Sequence, residues 1–380
     1  MLIKNGTVYD AVTPTPYKAD IRVEDGKIAE IAPVLEAAEG EQVIDAAGLS
    51  VYPGFVDAHS HLGLDGYGMG YEGQDYNEMG DIVASQLRAI DSFNPQDKSI
   101  AMAAKGGVTT VGTGPGSANV LGGTFIAVKT HGSCVDDMVI NPCVAMKCAF
   151  GENPKRCYRD RGDSARMTTA AKLREQLYAA RDYQTRKMCA HGDYSKMPKF
   201  DLKMEALIPV LEREIPLKAH AHRADDICTA IRIAKEFDVK LTLEHCTEGH
   251  LIVDELVRAG VPVAVGPTLT NASKIELVNK SFTTPGILAK AGLQVSIITD
   301  APVIPQSYLP LCAGLAVKAG MEPFAALQAI TINPAKHLGV EERVGSLEVG
   351  KDADIVLVKG DAMVSDSEVK AVFIDGEQIA

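Results

Sequence analysis

The sequence predicts an α/β protein: a (β/α)8 TIM barrel carrying a small β-sandwich domain built from both chain termini. Three observations predict it. Eight near-continuous apolar stretches alternate with helix-like segments through the centre of the chain, hairpin signals occupy both ends, and polar residues gather where four of the central stretches finish.

The N-terminal fifty residues read as short strands. IRVEDGKIAEI, residues 21–31, places two β-rich runs around Asp25-Gly26, a strong hairpin signal. At the other end, DADIVLVKG (352–360) and KAVFIDGEQI (370–379) read as strands, the second bent at Asp375-Gly376. Each end is too small to bury a core alone. Residues 1–52 and 341–380 are therefore expected to form one composite β-sandwich domain, with residues 53–340 as the barrel domain between them.

The central strands are expected at 54–59, 107–113, 123–130, 142–148, 215–220, 239–245, 261–266 and 294–300. Helical patterns run at 165–188, 224–237, 250–259 and 322–331. Apolar strands alternating with helices indicate a buried parallel sheet. The span suits a barrel of about 250 residues with one insertion, 150–214, between the fourth and fifth strands. An open doubly wound sheet would place a glycine-rich phosphate loop after its first strand. Here that strand is followed directly by His-Ser-His.

Composition narrows the function. Of 380 residues, 46% are hydrophobic and 23% charged, as in ordinary globular proteins. The net charge of −12 disfavours nucleic acid and anionic membrane surfaces as partners. No apolar run reaches membrane-span length, and the N-terminus lacks a signal-peptide pattern. The eight cysteines contain no C-x-x-C pair, which argues against a zinc ribbon or a thioredoxin-type motif. Reduced thiols in a cytoplasmic protein are expected. The expected partners are a small-molecule substrate and further copies of the same chain.

Four of the nine histidines form two H-x-H pairs, His59/His61 and His220/His222, each at the end of an expected strand. Residues i and i+2 of a strand face one side, and strand C-termini surround the active site of a barrel. His245 and Asp300 end the sixth and eighth strands. Imidazole and carboxylate together suit one or two Zn²⁺ ions, with Fe²⁺ or Mn²⁺ as alternatives. Any one of these histidines would ordinarily be a hydrogen-bonded core residue. Polar residues at four strand ends, with nothing comparable at the opposite ends, favour metal. Lys147 ends the fourth strand, and a lysine pointing into a barrel is costly unless modified or paired. The alternatives are an ion pair with a carboxylate or an outward orientation. Lys129, ending the third strand, is a further candidate for a polar role.

The loop GENPKRCYRDRG (151–162) concentrates Lys155, Arg156, Arg159 and Arg161 in an acidic protein. Arg156 and Arg159 are candidates for gripping a substrate carboxylate in a bidentate fork, the alternative being a solvated or intersubunit patch. GTGPGSANVLGG (112–123) reads as a backbone anion nest or a flexible mouth loop. His337 is expected to cap a helix end; His131, His191 and His250 carry no partner signature.

VYPGFVDAHSHLGL, LTLEHCTEG, VSIITDAP, AITINPAKHLGV and GSLEVGKDADIVLV resemble, in order, the landmarks of the amidohydrolase superfamily over essentially the whole chain. The similarity is nearest to its imidazolonepropionase-like and prolidase-like metal-dependent hydrolases. It implies that His59, His61, His220 and His245 ligate the metal, and that Asp300 touches both metal and attacking water. Metal brings the pKa of water toward about 7, and a neighbouring carboxylate can move its proton. In binuclear members a carboxylated lysine on the fourth strand bridges two metals, which points to Lys147. Asp300, His245 and His222 form the implied catalytic set, His222 as a substrate or oxyanion contact or as support for its neighbours. Imidazolonepropionases and many deaminase relatives carry Glu three residues after the strand-five histidine; here Arg223 stands there, a third substrate-binding candidate. The expected activity is hydrolysis of an amide-type C–N bond in a small carboxylate-bearing substrate, such as a cyclic amide, an N-acyl amino acid or a dipeptide. A heterocycle aminohydrolase and a non-enzymatic scaffold are the alternatives.

Overall fold

The computed structural model describes residues 1–162 and 165–380, and its strands form two eight-stranded sheets. The chain begins with β1 (Leu2–Val8), β2 (Tyr17–Glu24), β3 (Lys27–Ala32), β4 (Val43–Asp45) and β5 (Ser50–Pro53). β2 and β3 form the expected antiparallel hairpin. Its turn residues Asp25 and Gly26 have φ of 49° and 75°, the left-handed values that Asp-Gly supplies in a tight turn.

The central sheet follows: β6 (Phe55–Ser60), β7 (Val108–Thr113), β8 (Leu121–Lys129), β9 (Val139–Ala149), β10 (Leu217–Ala221), β11 (Leu241–His245), β12 (Val263–Val265) and β13 (Val295–Ile297). They lie side by side in sequence order. The two outer strands approach each other and nearly close the barrel: Thr299 N donates to Asp57 Oδ2 at 3.1 Å, and His61 N to Ala301 O at 2.8 Å. Helices cover the outside. That at Ala224–Phe237 buries Ile227, Ala230, Ile231, Ala234 and Phe237, a stripe of helical spacing, and ends on Asp238 in the left-handed conformation.

One expectation is corrected. Seven central strands share a direction, but β8 runs antiparallel to both β7 and β9. The cause is chain length. Only residues 114–120 join β7 to β8, whereas a parallel crossover needs a dozen or more residues. The reversal moves Lys129 to the opposite end of the barrel from the H-x-H pairs, beside Thr110 at the start of β7.

β14 (Ile355–Lys359), β15 (Glu368–Ile374) and β16 (Glu377–Gln378) return to the first sheet. β14 pairs antiparallel with β5, Val51 opposite Leu357, so both termini share one continuous sheet. Ile3, Val8, Ile21, Val51, Ile355, Leu357 and Phe373 form its core. Lys129 joins the two sheets. Its buried Nζ lies 2.7 Å from Asp354, 3.0 Å from Asp352 and 3.2 Å from Asp375. Burial alone would lower the Lys129 pKa, but the three carboxylates override it and raise it. Among the described residues no helix is long and apolar enough to cross a membrane, and all eight cysteines are unpaired.

Candidate metal centre

β6 carries His59, with His61 just beyond it; β10 carries His220, with His222 just beyond; β11 ends on His245; and Asp300 follows β13. The structure brings all six to one end of the barrel. His245 and Asp300 have φ of 72° and 54°, left-handed values that cost a non-glycine residue about 1–3 kcal/mol and mark functional sites. His245 is central: its ring centroid lies 5.0 Å from His59, 4.4 Å from His220 and 4.6 Å from His222.

Hydrogen bonds fix the ring tautomers. His61 Nδ1 lies 2.8 Å from Gly114 O, and His245 Nδ1 lies 2.8 Å from Gly266 O. A carbonyl only accepts, so both rings carry their proton on Nδ1 and present a lone pair at Nε2. His59 Nδ1 likewise donates to Glu244 Oε2 at 3.0 Å. The Nε2 atoms of His59 and His61 then lie 3.6 and 3.4 Å from Asp300 Oδ1. His245 Nε2 is buried without a hydrogen-bond partner. A bare lone pair among imidazoles and a carboxylate is the donor set a divalent transition metal takes. Ligand atoms of His59, His245 and Asp300 lie within 4.8 Å of one another, as do those of His220, His222 and His245.

The second trio is braced differently. His220 Nδ1 meets Ser117 Oγ at 2.8 Å, and Asn153 Nδ2 is 3.4 Å from its Nε2. His222 Nδ1 meets Thr247 Oγ1 at 2.8 Å. Glu276, buried in the loop after β12, brings Oε1 to 3.9 Å from His220 Nε2 and 3.7 Å from His222 Nε2. Lys147 points into the barrel, fully buried, with Nζ 3.3 Å from His59 Nε2 and 5.4 Å from the Phe125 ring centre.

Burial sets the protonation states. It pushes His59, His220 and His222 well below the ordinary imidazole value and His245 down to about 4, so all four rings are neutral at pH 7. Burial lowers Lys147 to about 8, against the opposing pull of Asp300 and Glu244. Burial would raise Asp300, but attraction to His245, His61 and His59 as those rings take up protons brings its carboxyl below the usual range. Glu276 is raised by burial, with Lys274 partly offsetting.

Arg156 and Arg159 are exposed, Arg159 lying nearest Asp160 at 3.6 Å, and Arg223 forks onto Asp225 at 3.0 and 3.1 Å. In the basic loop Arg161 donates to the Met79 carbonyl. Lys274 is the cation beside the second trio, donating to Asn153 Oδ1 at 3.0 Å. The glycine-rich segment is a largely buried connection, neither anion nest nor loose loop: a Cβ on Gly114 would sit 2.3 Å from Phe125. It supplies Gly114 O to His61 and Ser117 to His220. His337 does not cap its helix; it is buried with Nε2 2.8 Å from Glu244 Oε1. Glu244 stands within LTLEHCTEG, whereas Lys218, Glu276 and Lys274 carry no motif; a charged residue within an apolar strand is the signal for Glu244 and Lys218.

The chain matches the Amidohydrolase family over residues 50–379. A crystal structure of an amidohydrolase from Thermotoga maritima MSB8 superposes with a TM-score of 0.96 at 41% identity, covering 100% of this chain and 99% of that one. Amidohydrolase tasK of Hapsidospora irregularis is 29% identical over 94% of this chain, which spans only 39% of its length. Imidazolonepropionase of Thermoplasma volcanium is 27% identical over 90% of this chain and 84% of its own.

Proposed function

The chain belongs to the amidohydrolase family, and on that premise we propose that it is a metal-dependent hydrolase of an amide-type C–N bond. A cyclic amide, an N-acyl amino acid or a dipeptide is the substrate class. The observation that carries this reading is the bare, buried Nε2 of His245 beside His59 and Asp300. His59, His61, His220, His245 and Asp300 are the residues that would hold the metal. Lys147, lowered to about 8 by burial, is still mostly protonated at pH 7 but has a larger neutral fraction than an ordinary lysine, and it is the neutral amine that reacts with CO₂. Its carbamate would be a bridging ligand for a second ion.

Zn²⁺ bound there, or Fe²⁺ or Mn²⁺, supplies Lewis acidity, lowering the pKa of water toward about 7 and polarising a carbonyl. The chain's own groups do the rest. Asp300, kept ionised, accepts the proton of the attacking water and returns it to the departing nitrogen. His222, steadied by Thr247, faces the carbonyl oxygen or supports His220. Lys274 is better placed than Arg156, Arg159 or Arg223 to meet a substrate carboxylate. The near-complete burial of His59, His220, His222 and His245 excludes bulk water from the reacting atoms. On this reading residues 53–340 are the catalytic unit and 1–52 with 341–380 its companion domain, in a cytoplasmic homo-oligomer.

Elemental analysis of purified protein, paired with a panel of N-acyl amino acids, dipeptides and cyclic amides, tests the reading. At least one transition metal per chain and chelator-sensitive hydrolysis are expected. Protein that takes up no metal after reconstitution would refute it. One observation favours a second reading, a heterocycle aminohydrolase: Glu276 places a carboxylate of raised pKa beside His220 and His222. Ammonia release from purines or pyrimidines, with no cleavage of the amide panel, would select it.

A further inference from the structure

We infer that Glu244, held from below by His337, is a positioning residue that fixes His59 with its Nε2 lone pair turned toward the metal site. The inference rests on the metal reading of that site. Glu244 is the residue before His245 and is wholly buried inside the barrel. Its carboxylate receives four contacts. His59 Nδ1 and Lys218 Nζ meet Oε2 at 3.0 and 2.9 Å. His337 Nε2 and Thr242 Oγ1 meet Oε1 at 2.8 and 2.9 Å. Three of these are hydrogen bonds and the Lys218 contact is an ion pair, so most of the carboxylate's roughly four lone-pair sites are taken. Its geometry is fixed by groups on four elements: β6, β10, β11 and the helix Ile332–Leu338.

The contacts divide the labour. Lys218, 1% exposed, balances the buried negative charge. Thr242 and His337 set the plane of the carboxylate. His59 alone connects this buried group to the cluster at the mouth. An imidazole whose Nδ1–H is fixed by a carboxylate is locked in one tautomer and one ring orientation, and is a stronger donor at Nε2. Without that acceptor, His59 could place its proton on Nε2, the nitrogen that faces Asp300 and Lys147, and could no longer ligate.

The same arrangement gives two sequence landmarks a physical link. LTLEH contributes Glu244 and His245 from β11. NPAKH contributes His337 from the helix Ile332–Leu338 outside the barrel. The bond between Glu244 and His337 passes from that helix to the barrel interior. His337 is in the last turn of its helix, yet its ring spends no bond on the helix end: Nδ1 is buried without a partner and Nε2 serves Glu244.

The test uses full-length protein and Zn²⁺ as the probe. The charge-balanced double variant Glu244→Met/Lys218→Met removes the acceptor and avoids an orphaned ammonium, and Lys218→Met alone is its control, because it keeps the His59–Glu244 contact. Two readouts are taken: zinc affinity by competition with a chromogenic chelator, and the His59 tautomer in metal-free protein from ¹⁵N shifts of labelled imidazoles. The double variant is expected to bind zinc about 10–100-fold more weakly than the control, the usual effect of losing such a partner. Its His59 is expected to lose the pure Nδ1–H tautomer, while the control stays within threefold of wild type and keeps it. Glu244→Asp, which restores a carboxylate, should recover part of the affinity. Equal zinc affinity in double variant and control, or an unchanged His59 tautomer, would overturn the inference. Should wild type itself bind no zinc, the metal reading fails, and the tautomer comparison still decides the role of Glu244.

Discussion

Replacing Lys129 with Met separates a structural cation from a catalytic one. In the native protein its ammonium contacts Asp354, Asp352 and Asp375 at 2.7–3.2 Å, and the first two carboxylates are 3% and 1% exposed. Removing one partner of a buried ion pair costs about 3–5 kcal/mol, because the charge left behind is uncompensated. Asp352 keeps Lys27 and Arg343, and Asp354 keeps Thr109 Oγ1 and the Asp375 amide. The lower end of the range therefore applies, about 3 kcal/mol. Unfolding entropy near 2.1 cal/mol/K per residue gives about 0.8 kcal/mol/K for a chain of this length, so Tm should fall by about 4 °C. Differential scanning calorimetry at pH 7 measures the shift, and steady-state kinetics on the folded protein should give an unchanged kcat, since Lys129 lies at the far end of the barrel. The double variant Lys129→Met/Asp354→Asn should regain at least half the loss, because it removes the stranded carboxylate. A Tm within a degree of wild type would refute the clamp. So would a collapse of kcat without loss of stability, which would return Lys129 to the active site.

Three further outcomes follow from the site and its surroundings. Asp300→Asn keeps the side-chain shape but removes the proton acceptor, so kcat should drop about 10²–10⁴-fold; near-normal turnover with metal retained would place the base elsewhere. Burial holds His245 down to about 4, so protons compete for its lone pair only as pH falls toward that value. Metal retention measured after desalting should therefore persist at pH 6 and fail below about pH 5, and half-release near pH 6.5 would contradict the buried site. Burial would raise Asp352, but Lys129, with hydrogen bonds from Lys27 and Arg343, brings it down to about 2. Against an unfolded value near 3.9, its contribution is present above about pH 4 and lost as pH falls through about 2. Discounted for the half-exposed Lys27, it amounts to about 1–2 kcal/mol, and equal acid unfolding of wild type and Asp352→Asn would refute it.

The mouth residues were legible because strand ends are legible. His59, His61, His220, His245 and Asp300 each follow an apolar run, and period-two geometry aims them one way. Direction was not legible: the apolar run GTFIAVKT has the same pattern read either way. The clue to the reversed β8 was the short gap after β7, a matter of chain reach that hydrophobic pattern does not encode. Arg156 and Arg159 stand out as a charge cluster, but composition does not encode which face of a loop meets solvent. Glu276 and Lys274 sit in an irregular segment where no periodicity predicts orientation. Only tertiary contact brings them beside His220 and His222.

The pairing of β5 with β14 also constrains the order in which a ribosome can complete the molecule. Val51 and its partner Leu357 are about three hundred residues apart. At translation rates of roughly 5–20 residues per second, the second emerges about 15–60 s after the first. β1, β2 and β3 can zip together in that interval, and the β7–β8–β9 meander can form from neighbours in sequence. The free side of β5 must wait, an open strand edge of the kind that recruits other chains. Nascent chains stalled before β14 should therefore be the aggregation-prone species of this protein, and a holding chaperone would have its longest engagement at β5.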